Sequence, residues 1–201
     1  MDLSKLTNNR KLYSNLNVKI KTKGKGTKTD SMDSETELNI YQSSFLGYPV
    51  NSMDAFVKYN KQNYEFSGFH LNTPFVSLQA DGKGNLAKSN QLDFKLEAKD
   101  IHPLMKAINQ PDISFSGIVD GNIQGPKDSL DINLRYDLTE LLYDSISVCH
   151  LNGEGGFLFG DSLLFAQAGF NAETLMVDSN AFDKLHVKAL YKPSQIDSRI
   201  E

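Results

Sequence analysis

Hydrophobic and polar residues alternate along most of this chain. In residues 92–99 every even position is apolar and every odd position is charged, and residues 130–137 and 185–192 follow much the same rule. Alternation with period two is typical of a β-strand with one apolar and one solvated face. Similar short segments recur between turn-forming residues, at roughly the 8 to 12 residue spacing of a meander. We therefore predict about a dozen antiparallel strands, in which neighbours in sequence are neighbours in the sheet.

Glycine, asparagine and aspartate are concentrated between several of these segments. We predict hairpin turns at residues 81–85, 125–128 and 152–156, because these residue types favour turn conformations. In the strand that follows residue 112, Gly117 and Gly121 interrupt the apolar positions, which indicates a bulge, a bend or a close approach.

One segment departs from the strand pattern. Residues 101, 104, 105 and 108 are apolar, which is helical spacing and predicts a short helix near residues 101–109. Asp100 can serve as its N-cap, and Pro103 falls in the first turn, where a missing N–H costs little. A second short helical turn is predicted over residues 138–143. Residues 1–13 form a lead-in, either helical or unstructured, and residues 193–201 a tail.

The composition limits the classes of protein to consider. Hydrophobic residues make up 39% of the 201 positions and charged residues 23%, as in folded soluble proteins. No apolar run approaches the roughly 18 residues of a spanning helix, and no secretory signal precedes residue 30, so we expect a cytoplasmic protein or a piece of a longer one. The net charge is −4, with eight basic and two acidic residues among the first 30, so the rest of the chain is acidic and nucleic acid is not an expected partner.

A sheet with one apolar face must cover that face. Helices are too few here to do so, which leaves two alternatives open: a closed β-sandwich or barrel, or a curved sheet that forms an open groove (a β-taco) and holds apolar guests such as acyl chains. In the second case the following residues are expected to line the groove: Leu92, Phe94, Leu96, Ile113, Phe115, Val119, Leu130, Ile132, Leu134, Leu164, Phe170, Leu185 and Val187.

Residues 94–104 and 113–125 together resemble the AsmA/TamB family. The shared pattern is a strand, a short helix with the motif D-hydrophobic-x-P-L at residues 100–104, and a strand ending in G-x-hydrophobic-x-G at residues 121–125. The likeness extends over most of residues 12–192 and is clearest in residues 62–136. The motifs describe a strand pattern and include no catalytic signature.

This resemblance implies that residues 14–192 are an internal segment of a repeating β-groove protein of a diderm bacterium. Such proteins are anchored in the inner membrane and reach across the periplasm towards the outer membrane, and they are implicated in moving phospholipid through the groove between the two membranes. A scaffold role in outer-membrane protein assembly, through edge-strand pairing with an outer-membrane β-barrel protein, is the alternative. Contact with membranes would come through segments outside this sequence.

Candidate catalytic groups are sparse. Cys149 and His150 are adjacent, but consecutive strand residues project to opposite faces, which argues against a nucleophile–base pair. His70, His102 and His186 lack metal-ligand spacing, and the carboxylates lie at turns or polar strand positions. We predict no enzymatic activity, cofactor or metal. Lys19, Lys21, Lys23 and Lys25 share one strand face and either protect an edge strand or contact lipid phosphates or an acidic partner.

Overall fold

The fold is a single antiparallel sheet of twelve strands, seen in a computed structural model. The structure describes residues 2, 4, 5, 8, 13–28, 30–85, 88–107, 113–126, 128–160 and 162–192, and the backbone of residues 195–200. The strands are β1 (Ser14–Lys25), β2 (Asp33–Phe45), β3 (Tyr48–Asn60), β4 (Asn63–Asn72), β5 (Val76–Asn85), β6 (Asn90–Ala98), β7 (Ile113–Gly125), β8 (Leu130–Tyr143), β9 (Ile146–Phe159), β10 (Leu163–Val177), β11 (Asn180–Lys192) and β12 (Gln195–Ile200). Helix α1 (His102–Ala107) lies between β6 and β7 in the chain.

The order of strands in the sheet is the order of strands in the chain. Each strand pairs with its sequence neighbour in antiparallel fashion, and β1 and β12 stand at the two ends. The sheet is therefore an open meander, as the alternation predicted. A closed sandwich or barrel, the alternative left open by periodicity, is wrong for this chain.

The surface area confirms that one layer dominates. The accessible surface is 13114 Å², whereas a compact monomer of 22.4 kDa is expected to expose roughly 9,400 Å². Among the described residues only nine hydrophobic side chains are buried, and Ile101 is the most completely buried large one, at 2% exposure. The chain thus leaves much of its apolar sheet surface without a covering layer of its own.

The sheet bends along a row of irregular residues in β8–β11. The paired residues before and after this point in each strand place four residues in one row: Thr139, His150, Glu173 and Lys184. At this row β8 contains one residue more than its neighbour β7. His150 (φ 48°) and Lys184 (φ 58°) are left-handed. An extra residue of this kind kinks a strand and increases its twist. We call this row the kink.

Helix α1 packs on the apolar side of the sheet at the end of β5–β7. Ile101 forms a buried cluster with Val76 and Ala98, and its N–H donates to the Phe115 carbonyl at 3.0 Å. Asp100 Oδ1 accepts a hydrogen bond from the His102 N–H at 2.9 Å and another from Ser114 Oγ at 3.2 Å. The predicted helix and its cap are confirmed over residues 102–107; residues 108–112 lie outside the described part.

Replacing Asp100 with alanine is expected to lower the free energy of unfolding by about 1 kcal/mol, the usual cost of losing an N-cap. Asparagine at the same position keeps an acceptor oxygen and is expected to preserve most of that stability. Urea denaturation of the three proteins measures the difference. Equal losses in both variants would mean that the carboxylate charge, rather than the hydrogen bond, stabilises this end of the helix.

Two of the predicted turns are wrong. Residues 81–85 belong to β5 and residues 152–156 to the middle of β9; only residues 125–128 lie at a strand end, after Gly125. Aromatic rings lie against the glycines in these strands: a Cβ on Gly82 would stand 2.5 Å from the Phe66 ring, and one on Gly153 2.8 Å from the Tyr136 hydroxyl. The glycines therefore make room for rings within the sheet.

Two further predictions are revised at the level of elements, and the predicted lead-in is described only in part. The helical turn predicted over residues 138–143 is wrong, because these residues complete β8. The predicted tail of residues 193–201 contains β12. In the lead-in, Ser4 and Lys5 are helical and Asp2 accepts hydrogen bonds from the Ser4 and Ser14 N–H groups, while residues 1, 3, 6, 7 and 9–12 lie outside the described part.

Candidate functional site

An uninterrupted apolar row crosses the whole sheet. It follows from the pairing register, because directly paired residues project from the same face. The row consists of Val18, Ile40, Met53, Leu71, Leu78, Leu96, Val119, Tyr136, Gly153, Phe170 and Val187, and the backbone of Ile200 continues it in β12. Eleven strand spacings of about 4.8 Å make it roughly 50 Å long.

Every described member of this row is partly exposed, neither buried nor free in solvent. Neighbouring rows on the same face are also largely apolar; one of them contains Phe94, Leu134 and Ala168. We call the surface formed by these rows the apolar face. It is continuous across the sheet and has helix α1 over one of its ends.

The apolar face brings together twelve of the thirteen groove residues predicted from the sequence. Leu92, Phe94, Leu96, Ile113, Phe115, Val119, Leu130, Ile132, Leu134, Phe170, Leu185 and Val187 all lie on it and are partly exposed. Leu164 is displaced, since it stands at a register shift and is 43% exposed. Leu163 stands opposite Phe159, at the position that was predicted for Leu164.

The apolar face is concave at the kink. Leu138, Leu151 and Ala172 on one side of the kink pack with Val148 on the other side, and all four are buried. Leu141 and Leu175, also beyond the kink, pack against the same cluster. Side chains on both sides of a bend can meet only on its inner surface, so the strands fold toward the apolar face and form an open groove there.

Tyr136 shows how closely the groove floor is packed. Its hydroxyl donates to the Gly169 carbonyl at 3.4 Å, passing over Gly153 on the intervening strand. Burial, and secondarily the Glu154 carboxylate, raise the pKa of the Tyr136 phenol. The phenol therefore stays neutral over a wider pH range than a free tyrosine, which suits an apolar floor.

The opposite face is polar and carries a charge ladder. Paired positions across seven strands read Gln79, Lys95, Asp120, Arg135, Glu154, Gly169 and Lys188. Arg135 bonds Asp120 at 2.8 Å, but its side chain is 76% exposed, so the pair contributes little stability. Charges of alternating sign largely neutralise one another along this ladder.

A recess of about 920 Å³ runs along the polar face beside this ladder. Its lining consists of the ladder, a second row that includes Asp93, Asn122, Asn133 and Gln167, and the row between them, which contains Phe94, Leu134 and Ala168. Leu96 and Val119 of the apolar row are not part of it. This recess is therefore lined by charged and amide groups on both sides of an apolar row. Acyl chains would have to displace water from charged groups there, which makes the apolar face the better candidate for an apolar ligand.

The lysines of β1 lie on the polar face at the edge of the sheet. Lys21 pairs with Glu37 at 3.0 Å and Lys23 with Glu35 at 2.8 Å, both carboxylates being on β2. The carboxylate of Glu35 raises the pKa of Lys23, and Lys23 in turn lowers the pKa of Glu35. These contacts favour the interpretation of Lys21 and Lys23 as solvated residues of an edge strand.

Cys149 and His150 are placed by the kink. His150 Nδ1 lies 2.8 Å from Glu173 Oε2. Cys149 is partly buried, and in the sheet it stands opposite Glu140 of β8 and Thr174 of β10. Within the described residues, no three histidine, cysteine or carboxylate side chains are grouped in a way that could hold a metal ion. The described part of the chain also contains no helix long and apolar enough to cross a membrane.

The amino-terminal members of the apolar row and the cluster at the kink were not among the residues predicted from the sequence to line the groove. Val18, Ile40, Leu71 and Leu78 were recognisable as strand residues from their alternation, but only the pairing register shows that they continue the row. The kink cluster has a local signal: apolar residues separated by three positions instead of two, as in Leu138 and Leu141 or Val148 and Leu151. Without the fold, this spacing is indistinguishable from a helical turn.

No family model, curated protein or solved structure matches this chain. The AsmA/TamB resemblance therefore stays a prediction based on the motifs at residues 94–125.

Proposed function

We propose that this chain is a non-enzymatic segment of a lipid conduit, which binds phospholipid acyl chains along its apolar face. The uninterrupted apolar row, which is partly exposed in every strand from β1 to β11, carries this proposal. A row of this length has no structural need in a protein that covers its own core. In line with the family resemblance, we place the segment in the periplasm, within a longer protein anchored in the inner membrane and directed toward the outer membrane.

Binding by this face requires no chemical step. Acyl chains lie against the groove, headgroups stay in water at its open side, and movement consists of steps between rows of similar apolar character. Each buried CH₂ contributes about 0.8 kcal/mol, less the share of groove surface that is already sheltered. Since no polar group fixes a lipid in one position, the energy differences between successive sites are small, and a chain can slide.

Photo-crosslinking from adjacent residues tests this proposal. A photoreactive amino acid at Val187 or Leu78, on the apolar face, is expected to crosslink phospholipid in the purified protein. The same residue at Lys188 or Gln79, one position along and on the polar face, is expected to give little product. Mass spectrometry of the adducts identifies the lipid. Equal labelling from both faces, or none from either in the presence of lipid, would contradict the proposal.

A second candidate, a scaffold for outer-membrane protein assembly, is supported by one observation. The strand β1 is twelve residues long and forms an end of the sheet, which is the position where β-augmentation adds the strand of a partner. However, its lysines resemble the protection that edge strands carry against such pairing. Crosslinking from β1 to a partner protein, with no lipid adduct from Val187, would favour the scaffold.

A further inference from the structure

Buried side chains are concentrated along one of the two long sides of the sheet. We call it the helix side: the odd-numbered strands begin there, the even-numbered strands end there, and helix α1 lies there. Of the ten side chains that are buried in the described part of the chain, nine lie at the helix side and only Ala80 does not: Leu16, Ser43, Val76, Ala98, Ile101, Leu138, Val148, Leu151 and Ala172. The opposite long side, which we call the far side, has none among the described residues.

Five of these side chains belong to a single row across six strands. The pairing register aligns the row from β5 to β10: Val76, Ala98, Gly117, Leu138, Leu151 and Ala172. The row lies on the apolar face, two positions closer to the helix side than the apolar row in each strand. Its five side chains are at most 8% exposed, whereas the apolar row beside it is partly exposed. The covered part of the apolar face therefore begins at this row.

The cover over this row has two parts that are joined. Over β5–β7 it consists of helix α1 and the residue before it, because Ile101 and Met105 pack in the cluster at the start of the row. Over β8–β10 it consists of the strand ends beyond the kink, which bring Val148 into the second cluster. Phe115 packs against both clusters. Together these parts form a continuous cover over the helix side, which we call the roof.

The far side has no such cover, and in the first six strands it is polar. The last row of the apolar face before this side is Gly24, Ser34, Tyr59, Tyr64, Gly84 and Asn90, and it continues in β7–β10 with Gly125, Leu130, Phe159 and Leu163. The Tyr64 hydroxyl donates to Asn90 Oδ1 at 2.7 Å. Tyrosine suits the boundary between an apolar surface and water, because its ring is apolar and its hydroxyl is hydrated. The apolar face thus runs from a roof on one side to water on the other.

We propose that a phospholipid bound to this face lies along the strands, with its acyl chain ends under the roof and its headgroup at the far side. The inference rests on the proposed function and adds the direction and the length of the chains. A headgroup must remain in water, and between the two long sides only the far side offers it. In β8, Leu130 at the far side and Tyr136 next to the roof are about 20 Å apart. One leaflet of a bilayer contains about 15 Å of hydrocarbon, so the chains of membrane phospholipids fit this width.

Two photoreactive phospholipids test the direction of the bound lipid. One carries a diazirine at the end of an acyl chain and the other carries it on the headgroup, and peptide mass spectrometry of the purified protein locates the adducts. We expect the chain-end probe to label Phe115 and Tyr136, near the roof. The headgroup probe is expected to label Tyr64 and Leu130, at the far side.

Two aspartate variants of β8 test the same direction without a probe. Leu130 and Leu134 are both partly exposed and belong to neither buried cluster. Leu134→Asp places a carboxylate under the middle of the acyl chains and is expected to lower the content of co-purified lipid at least about fivefold. Leu130→Asp places the same group beside the headgroup, where it stays hydrated, and is expected to keep the lipid content within about twofold of the wild type. Circular dichroism checks folding, and Leu134→Asn replaces the aspartate variant if that protein unfolds.

Three outcomes would overturn the assigned direction: a reversed labelling pattern, the same pattern from both probes, or a loss of lipid in Leu130→Asp as large as that in Leu134→Asp. Lipid is bound by the wild type in each of these cases, so they leave the lipid conduit intact. A wild-type protein that neither probe labels would instead contradict the conduit itself, and the direction of the lipid with it.

Discussion

Replacing Phe94 with aspartate is expected to remove bound lipid from the protein while the sheet stays folded. Phe94 lies on the apolar face near the middle of the sheet, is partly exposed and belongs to neither buried cluster. The aspartate can therefore remain hydrated in the unliganded protein, and the loss of partial burial costs about 1–2 kcal/mol of stability. In the lipid-bound state, however, the same carboxylate would be covered by acyl chains, which is far more costly.

The measurement is lipid content by extraction and native mass spectrometry, combined with thermal unfolding. We expect the lipid content to fall at least fivefold, on the scale of about 1 kcal/mol or more of lost binding. The control Gln79→Asp also adds one negative charge, but on the exposed polar face opposite Lys95, and is expected to retain lipid. If Phe94→Asp keeps its lipid, acyl chains do not lie on this face. If it unfolds outright, Phe94 is part of a closed core.

The periodicity of the sequence predicted the sheet well because most strands obey a simple rule. Residues 92–98 alternate strictly, and in the structure the even positions are sheltered while the odd positions Asp93, Lys95 and Glu97 are exposed. With so few helical segments, consecutive strands could pair only with each other, which determined the order. The apolar lining followed from the same alternation, except at Leu164, where a register shift that no residue type announces moves one side chain.

The errors have a common physical cause: local signals were interpreted without the neighbouring strands. Gly82 and Gly153 resemble turn residues, but they are strand positions that accommodate Phe66 and Tyr136 from the adjacent strand. The spacing of Leu138 and Leu141 resembles a helical turn, but it results from an extra residue at the kink that moves the apolar pattern by one position. In both cases the determining partner is distant in sequence, and periodicity contains no information about it.

The same limitation applies to the candidate sites. Alternation indicates which residues share a face within a strand, and twelve groove residues could be named from it. It does not indicate that Val18 and Val187, at opposite ends of the chain, belong to one row. It also gives no sign of the recess on the polar face, which depends on how side chains such as Arg135 and Glu154 flank a line of small residues including Gly155 and Ala168.

Replacing Ile101 with alanine is expected to cause a large loss of stability, about 2–5 kcal/mol, as for other fully buried isoleucines. Ile101 is 2% exposed and joins helix α1 to Val76 and Ala98 at the end of the apolar face. Leu104→Ala, in the same helix at a position that is 36% exposed, is the matched control and is expected to cost less than about 1 kcal/mol. Chemical denaturation measures both.

The contrast between these two variants also tests the role of helix α1. Ile101 is the most completely buried side chain at this contact, and Met105 of the helix packs on the same cluster. Loss of the Ile101 side chain should therefore loosen the helix and uncover Val76 and Ala98. Lipid binding is then expected to persist or increase, because the apolar face becomes longer. Equal destabilisation by both substitutions would mean that the helix is held along its whole length. If Ile101→Ala loses lipid at temperatures where the sheet is still folded, the helix is part of the lipid-binding surface.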